Sequence, residues 1–261
     1  MAAPLRVDRT GDGVVVLTLV LPDRRNAMTT ELTAAWAAAV TDVQADAAVR
    51  CVVVTGAGSA FCGGGDLDWL AESPGLTVPQ LRERMVPFYR AWLSIRSIEV
   101  PVLAAVNGPA IGAGLCLALA CDLRYAGESA RFAAPFAALG MHPGMGASYL
   151  LPEVVGLATA RELLLTGRVV AADEAVELGL AQRVYADDAL LPAVLDIAAA
   201  IARQAPLAIR LTKATLAARP ASLDAALEWE GLAQPITMAT SDLREGLAAQ
   251  AERRPPSFTG E

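Results

Sequence analysis

Residues 101–121 read PVLAAVNGPAIGAGLCLALAC, an uncharged run set between Glu99 and Asp122. By length it matches a membrane span, which needs about 20 apolar residues. Its middle argues otherwise. Asn107, Gly108 and Pro109 interrupt it and Gly112 and Gly114 follow, and in a helix interior Gly costs roughly 1 kcal/mol and Pro roughly 3. The run therefore reads as strand, turn, helix. Val102–Val106 has the pattern of a strand buried on both faces of a parallel sheet. Asn107-Gly108-Pro109 turns the chain. Gly112-Ala113-Gly114 then opens an apolar helix over Leu115–Ala120. The first amides of such a helix have no internal partner and attract negative charge. Close packing alone would also explain the glycines.

Outward from this stretch the same design recurs. Leu5–Arg9 and Val14–Val20 read as strands around Gly11-Asp12-Gly13. Leu21–Ala27 (LPDRRNA) is a polar loop in which Arg24 and Arg25 are either solvated or set to meet an anionic ligand. Thr30–Gln44 is helical, with Leu32, Trp36, Ala39, Val40 and Val43 on one side. Cys51–Thr55 is a second buried strand, followed by the glycine-rich loop GAGSAFCGGGD at 56–66. Residues 67–77 read as a mixed, mobile segment and 80–97 as a helix kinked at Pro87. The segment 67–88 is expected to line a pocket. Short strands follow at Leu123–Tyr125 and Arg131–Ala133, then a glycine-punctuated stretch at Pro135–Ser148. A helix at Ala158–Leu165 ends at Gly167. Val169-Val170, a helix over Asp173–Leu178 and a strand at Ala181–Tyr185 complete the α/β part. From Asp188 to residue 252 the pattern is helical, rich in Ala and Leu, with breaks at Pro206, Pro220 and Thr240-Ser241; Ser241 or Asp242 is placed to cap the last helix. The expected organisation is an α/β body over 1–190 and a helical region over 191–261 that packs against other subunits.

Composition narrows the function classes. The chain has 261 residues, 54% of them hydrophobic, with a net charge of −7, a mean hydropathy of +0.42 and a pI near 4.9. An acidic chain does not suit nucleic acid, which demands a basic face. The N-terminal MAAPLRVDRT lacks a signal-peptide core. Four cysteines without a CxxC pair, and a single histidine, argue against a zinc site. They fit a reducing, cytoplasmic setting. Neither GxGxxG nor GxxxxGK[ST] occurs at the glycine loops, which argues against a nucleotide-binding reading. Gly146-Ala147-Ser148-Tyr149-Leu150 lacks the closing glycine of a nucleophile elbow.

Two loops share one plan, a buried strand, then glycines, then a helix start: Thr55…Gly63-Gly64-Gly65-Asp66 and Val106…Gly112-Ala113-Gly114. Two amides aimed at one point would hold a carbonyl oxygen as it gains charge, an arrangement worth roughly two to three powers of ten in rate per donor.

The chain resembles the crotonase (enoyl-CoA hydratase/isomerase) superfamily along nearly its whole length. The segments that carry the resemblance are LPDRRNAM (21–28), AFCGGGDL (60–67), AAVNGPAIGAG (104–114), ACDLRYAGESARF (120–132), LTGRVVAADEAVELGLAQRV (165–184) and SDLREGLAAQAERRPPSF (241–258). The resemblance implies an α/β fold, a spiral of ββα units with a C-terminal helical trimerisation region. It implies an acyl-CoA thioester as ligand, coenzyme A entering only as part of the substrate, with no separate cofactor and no metal. It implies a homotrimer or a dimer of trimers. The oxyanion amides implied are those of Gly65 and Ala113. Arg24, Ala27 and the Gly63 carbonyl fall where the family holds the CoA nucleotide, with Gly64, Asp66 and Leu67 in the same loop.

One departure bears on the chemistry. The two glutamates that hydratases of this family use to place and deprotonate water would stand at Cys116 and Phe136, and the acid of some relatives would stand near Gly144 and Met145. A general acid or base contributes about two to four powers of ten, so a poor hydratase is expected. A buried thiol is a weak base near neutrality. His142 and Asp68 are the remaining acid/base candidates, and Asp66 reads as a turn residue. The chain reads either as an enzyme acting through a thioester enolate or as a non-catalytic acyl-CoA carrier of fatty-acid metabolism.

Overall fold

A computed structural model describes residues 3–72 and 75–261. The strands are β1 (Leu5–Arg9), β2 (Val14–Leu19), β3 (Cys51–Gly56), β4 (Val102–Val106), β5 (Pro109–Ile111), β6 (Leu123–Gly127), β7 (Arg131–Ala133), β8 (Val170–Ala171) and β9 (Arg183–Tyr185). They build a six-stranded sheet in the order β1-β2-β3-β4-β6-β9 and a three-stranded sheet in the order β5-β7-β8. β1 and β2 form an antiparallel hairpin; β2, β3, β4, β6 and β9 run parallel. The chain steps repeatedly from one sheet to the other: β4 passes to β5 and then to helix α4 (Ala113–Ala120), and β6 passes to β7. This is the α/β spiral of ββα units that the resemblance implies.

Side chains alternate between the two faces of the large sheet, as strand geometry dictates. Val15, Leu17, Leu19, Val52, Val54 and Val102 enter the larger core, together with helices α1 (Thr30–Ala45), α3 (Val78–Leu93) and α4. Val14, Val16, Val53 and Leu103 face the other way, onto Leu190, Val194 and Ala198 of α7 (Asp187–Ala202). The first C-terminal helix is therefore a layer of the body itself. In the larger core Trp36 stacks on Trp92 with ring centroids 4.9 Å apart. Trp92 donates its indole N–H to Thr33 Oγ1 at 3.0 Å.

Several local expectations are corrected. Residues 101–121 split into β4, β5 and α4, so Pro109 opens a strand instead of closing a turn. That strand exists because Pro109–Ile111 pairs in parallel with Arg131–Ala133, a partner remote in sequence. The helix expected at 158–165 is the second half of α5 (Ala147–Thr166), which Gly156 interrupts at φ 75°. The punctuation at Gly144, Gly146 and Pro152 conceals its first half. The helix expected at 80–97 starts at Val78 and carries Pro87 within it; residues 94–97 tighten to a 3-10 turn. Within the stretch 67–77, residues Leu67–Ala71 form a short helix, α2; residues 73–74 of that stretch lie outside the described residues. Helices α8 (Pro206–Ala218), α9 (Leu223–Met238) and α10 (Ser241–Glu252) follow α7. Thr240, not Ser241 or Asp242, is the N-cap of α10. Asp242 is buried, and its carboxylate accepts from the amides of Thr259 and Gly260 at 2.8 and 3.0 Å, which ties the C-terminal tail back onto the helix. Among the described residues no single helix is long and apolar enough to cross a membrane.

Candidate active site

The two glycine loops lie against each other. Cys62 donates to Pro109 O at 3.1 Å, and Ile111 donates to Cys62 O at 3.0 Å, so the first loop extends the short strand β5. Gly64 has φ 97° and a Cβ there would fall 2.5 Å from Ile111 O and 3.4 Å from Ala113 N. Gly114 allows a comparably close approach: a Cβ would meet Cys62 O at 2.1 Å. Only glycine permits these backbones to come so near. Gly112, whose amide donates to Ala133 O at 2.8 Å, adopts φ 56°, ψ −115° and aims the first turn of α4. Ala113 is the first residue of that helix, where amides lack an intrahelical acceptor. Among the described residues neither the Ala113 amide nor the Gly65 amide donates to another backbone group.

Two asparagines hold the first loop in place. Asn26 is fully buried; its Nδ2 donates to Ala57 O and Ala60 O at 2.9 and 2.8 Å, and its Oδ1 accepts from Leu21 N at 2.9 Å. Asn107 donates to Gly58 O at 2.9 Å and accepts from Gly56 N at 3.0 Å. The sequence marks Asn107 as a turn residue and assigns Asn26 no role of its own. The available signal was an Asn inside a polar loop, where its tolerance of the left-handed region is useful; Asn26 indeed sits at φ 55°.

Gly65, Gly112 and Ala113 open onto a cavity of about 110 Å³. Residues 67–88 line part of it, through Leu67, Trp69 and Leu70 of α2 and Met85, Phe88 and Tyr89 of α3. The stretch after β7 supplies Phe136, Met141, His142, Gly144 and Met145. No carboxylate is among the described lining residues. A larger open groove of about 680 Å³ lies between the β1–β2 turn and residues 256–258. Its Arg9 is paired with Asp46 at 2.5 Å, and it contains neither of the two unpaired amides.

Gly63 donates its amide to Arg25 O at 2.7 Å and Ala27 donates to Arg24 O at 3.1 Å, so both amides serve the turn. Arg24 spans Asp66 at 2.8 Å and Asp68 at 2.6 Å. Asp66 is the N-cap of α2, accepting from Asp68 N at 3.1 Å, which accords with its reading as a turn residue. Asp68 is corrected: it does not reach the cavity, because Arg24 holds its carboxylate in solvent, where its side chain is 86% exposed. Cys116 is corrected likewise. It is buried behind the cavity wall, its thiol 3.6 Å from Gly144 O, and burial pushes its pKa up to about 12. Phe136 does line the cavity, its ring edge 3.9 Å from where a Cβ on Gly112 would be.

His142 lines the cavity with Nδ1 2.8 Å from Pro143 O. A carbonyl only accepts, so Nδ1 carries the proton and Nε2 is left as the free acceptor. Tyr89, not singled out from the sequence, is the other titratable lining side chain. Burial pushes its phenol pKa up, the Cys116 thiol adds to that, and a hydrogen bond from the Met145 backbone opposes it. Its Oη would lie 2.4 Å from a Cβ on Gly144, so a side chain at 144 would have to displace it. Among the described residues no group of three or more His, Cys, Asp or Glu side chains is placed to hold a metal.

The family model for enoyl-CoA hydratase/isomerase matches residues 9–261. The chain belongs to this family. Among curated relatives, a probable enoyl-CoA hydratase of Mycobacterium tuberculosis is 41% identical over 259 residues, covering 94% of this chain and 89% of the relative. The 1,2-epoxyphenylacetyl-CoA isomerase of Escherichia coli is 36% identical over 250 residues, covering 95% of each. Among solved structures, an enoyl-CoA hydratase of Bacillus anthracis superposes with a TM-score of 0.92 at 35% identity, covering 99% of this chain and 100% of that one. A probable enoyl-CoA hydratase/isomerase of Mycobacterium abscessus gives a TM-score of 0.89 at 38% identity, covering 99% of each. The match to the enoyl-CoA hydratase/isomerase family model spans residues 9–261.

Proposed function

We propose that this chain binds an acyl-CoA thioester with the thioester oxygen between the amides of Gly65 and Ala113, and that it stabilises the enolate form of that thioester while adding water poorly. The observation that carries the reading is the pair of free amides on two interlocked loops, opening onto a cavity whose lining has no carboxylate. Such donors are fixed before the substrate arrives, and they gain strength as charge moves onto the oxygen. The names of relatives that act on enoyl-CoA and on an epoxyphenylacetyl-CoA support the same ligand class.

The chemistry that suits one base and no water-holding pair is a double-bond shift. His142 Nε2 takes the proton from C2 of a 3-enoyl thioester, and the electron pair moves onto the thioester oxygen. Collapse of the enolate returns that proton from the imidazolium to C4 and leaves the 2-enoyl thioester. Coenzyme A enters as part of the substrate, and no other cofactor takes part. Arg24 would meet the CoA phosphates by exchanging its carboxylate partners for them.

A non-catalytic acyl-CoA carrier is the second reading, favoured by the solvent exposure of His142 and the carboxylate-free lining. The experiment that tests both follows loss of crotonyl-CoA by enoyl absorbance, conversion of 3-hexenoyl-CoA, and calorimetry with a saturated acyl-CoA. The first reading expects slow hydration and measurable isomerisation that falls at least 100-fold in His142→Gln. Tight binding without turnover selects the carrier. Hydration at the rate of ordinary hydratases contradicts both.

The apolar side chains exposed on the C-terminal helices, among them Leu216, Leu223, Leu227, Leu232 and Ile236, support assembly into a trimer or a dimer of trimers. A monomer in sedimentation would contradict it. The four unpaired cysteines support a reducing, cytoplasmic setting.

A further inference from the structure

The chain has few aromatic residues, four Trp, four Tyr and five Phe, and six Met. Four of those rings, Trp69, Phe88, Tyr89 and Phe136, line the one small cavity at Gly65 and Ala113, and so do three of the methionines, Met85, Met141 and Met145. In a chain that is 5% aromatic, such a concentration is out of proportion to the cavity's share of the chain. The rings are also ordered. Trp69 stacks on Phe88 with centroids 5.6 Å apart at 30°. Phe88 and Tyr89 are 6.0 Å apart at 59°. Arg84 lies over Trp69 at 4.2 Å from the ring centroid and is held there by Glu72 at 2.7 Å, so cation–π attraction fixes the indole. Phe136 stands beside Gly112, next to the amide of Ala113.

We infer that the acyl group this site prefers carries an aromatic ring. The inference rests on the thioester reading above and narrows its substrate class. A planar ring meets ring faces, ring edges and polarisable sulfur at once, whereas a flexible alkyl chain gains only area and loses its rotamers. Each ring–ring contact favours the aromatic ligand roughly two- to tenfold beyond area alone.

The test is calorimetry on the intact protein with phenylacetyl-CoA, octanoyl-CoA (the same number of acyl carbons) and free coenzyme A. The expected result is that phenylacetyl-CoA binds at least tenfold tighter than octanoyl-CoA. Trp69→Leu and Phe136→Leu, each checked for fold by circular dichroism, should cut that ratio below about threefold. Octanoyl-CoA binding as tightly as phenylacetyl-CoA, with both tighter than free coenzyme A, overturns this inference and leaves the thioester reading standing. If neither thioester exceeds free coenzyme A, both fall together.

Discussion

The thiol of Cys116 points at the carbonyl oxygen of Gly144 across 3.6 Å, and that contact places it behind the cavity wall. The residue at the position where the resemblance implies a catalytic carboxylate thus braces the loop that carries His142 and Met145.

All four cysteines are buried, and burial pushes the pKa of each up to about 12. Thiolate, not thiol, is the reactive form. In a disulfide-exchange assay at pH 8 the folded protein should show almost no reactive thiol, and all four should appear in denaturant. Rapid labelling of Cys116 in the folded state would mean that it is open to the cavity.

The same groups set a direction for alkaline stability. Each thiol has a folded pKa near 12 against an ordinary 9.0. The unfolded chain therefore releases protons at a lower pH than the folded chain. The stabilisation is complete below pH 9 and is lost as pH rises towards 12. Denaturant midpoints should be flat from pH 7 to 8.5 and fall between pH 9.5 and 11. A midpoint that holds steady to pH 11 would contradict the burial of these side chains.

Asn26→Ala would leave the half-buried carbonyl of Ala57 without its donor and the buried carbonyl of Ala60 with only the long 3.5 Å contact from Asn107 Nδ2. An unsatisfied buried group costs about 1–3 kcal/mol. In a domain of this size the melting temperature should drop on the order of 5 °C, and acyl-CoA affinity should drop with it because the Gly63–Gly65 loop loses its anchor. Asn26→Asp, which sets an acceptor against those carbonyls, should be worse. A melting temperature unchanged in both variants would contradict the anchoring role.

Gly64→Ala combines a left-handed φ with a Cβ 2.5 Å from Ile111 O. It should separate the two glycine loops and weaken thioester binding at least tenfold, while circular dichroism stays that of the parent. Wild-type affinity in Gly64→Ala would show that the close approach is not needed for binding.

Arg24 is the cleanest separation of binding from stability. Its side chain is 45% exposed, and exposed ion pairs contribute about 0–1 kcal/mol. Arg24→Gln should leave the melting temperature within about 2 °C and lower coenzyme A affinity several-fold, with the difference shrinking at high salt. Equal affinities at low salt would remove Arg24 from the ligand.

Much of the architecture was legible from spacing. The strands at 102–106 and 131–133 and the breaks near 206, 220 and 240 are where local pattern sets them, because a buried strand and a proline break are local events. β5 was not legible, since Pro109 joins a strand only through its remote partner β7. The two glycine loops were legible as a place of close backbone approach, because glycine marks backbone that must come close to something. Asn26, Tyr89 and Trp69 were not. Their roles depend on which carbonyls and rings the fold brings to them, and nothing in the sequence around them records that. Asp68 misled for the converse reason: proximity in sequence to Gly65 says nothing about Arg24, which lies over forty residues away and holds its carboxylate.

The grip of the Gly65 and Ala113 amides on a thioester oxygen is tested most directly by the vibrational spectrum of a carbonyl-labelled phenylacetyl-CoA or crotonyl-CoA bound to the protein. Two aligned N–H donors should move the thioester carbonyl stretch to lower frequency than in water, and Gly64→Ala should reverse most of that shift. A bound thioester whose carbonyl stretch matches that of the free ligand in water would contradict the account.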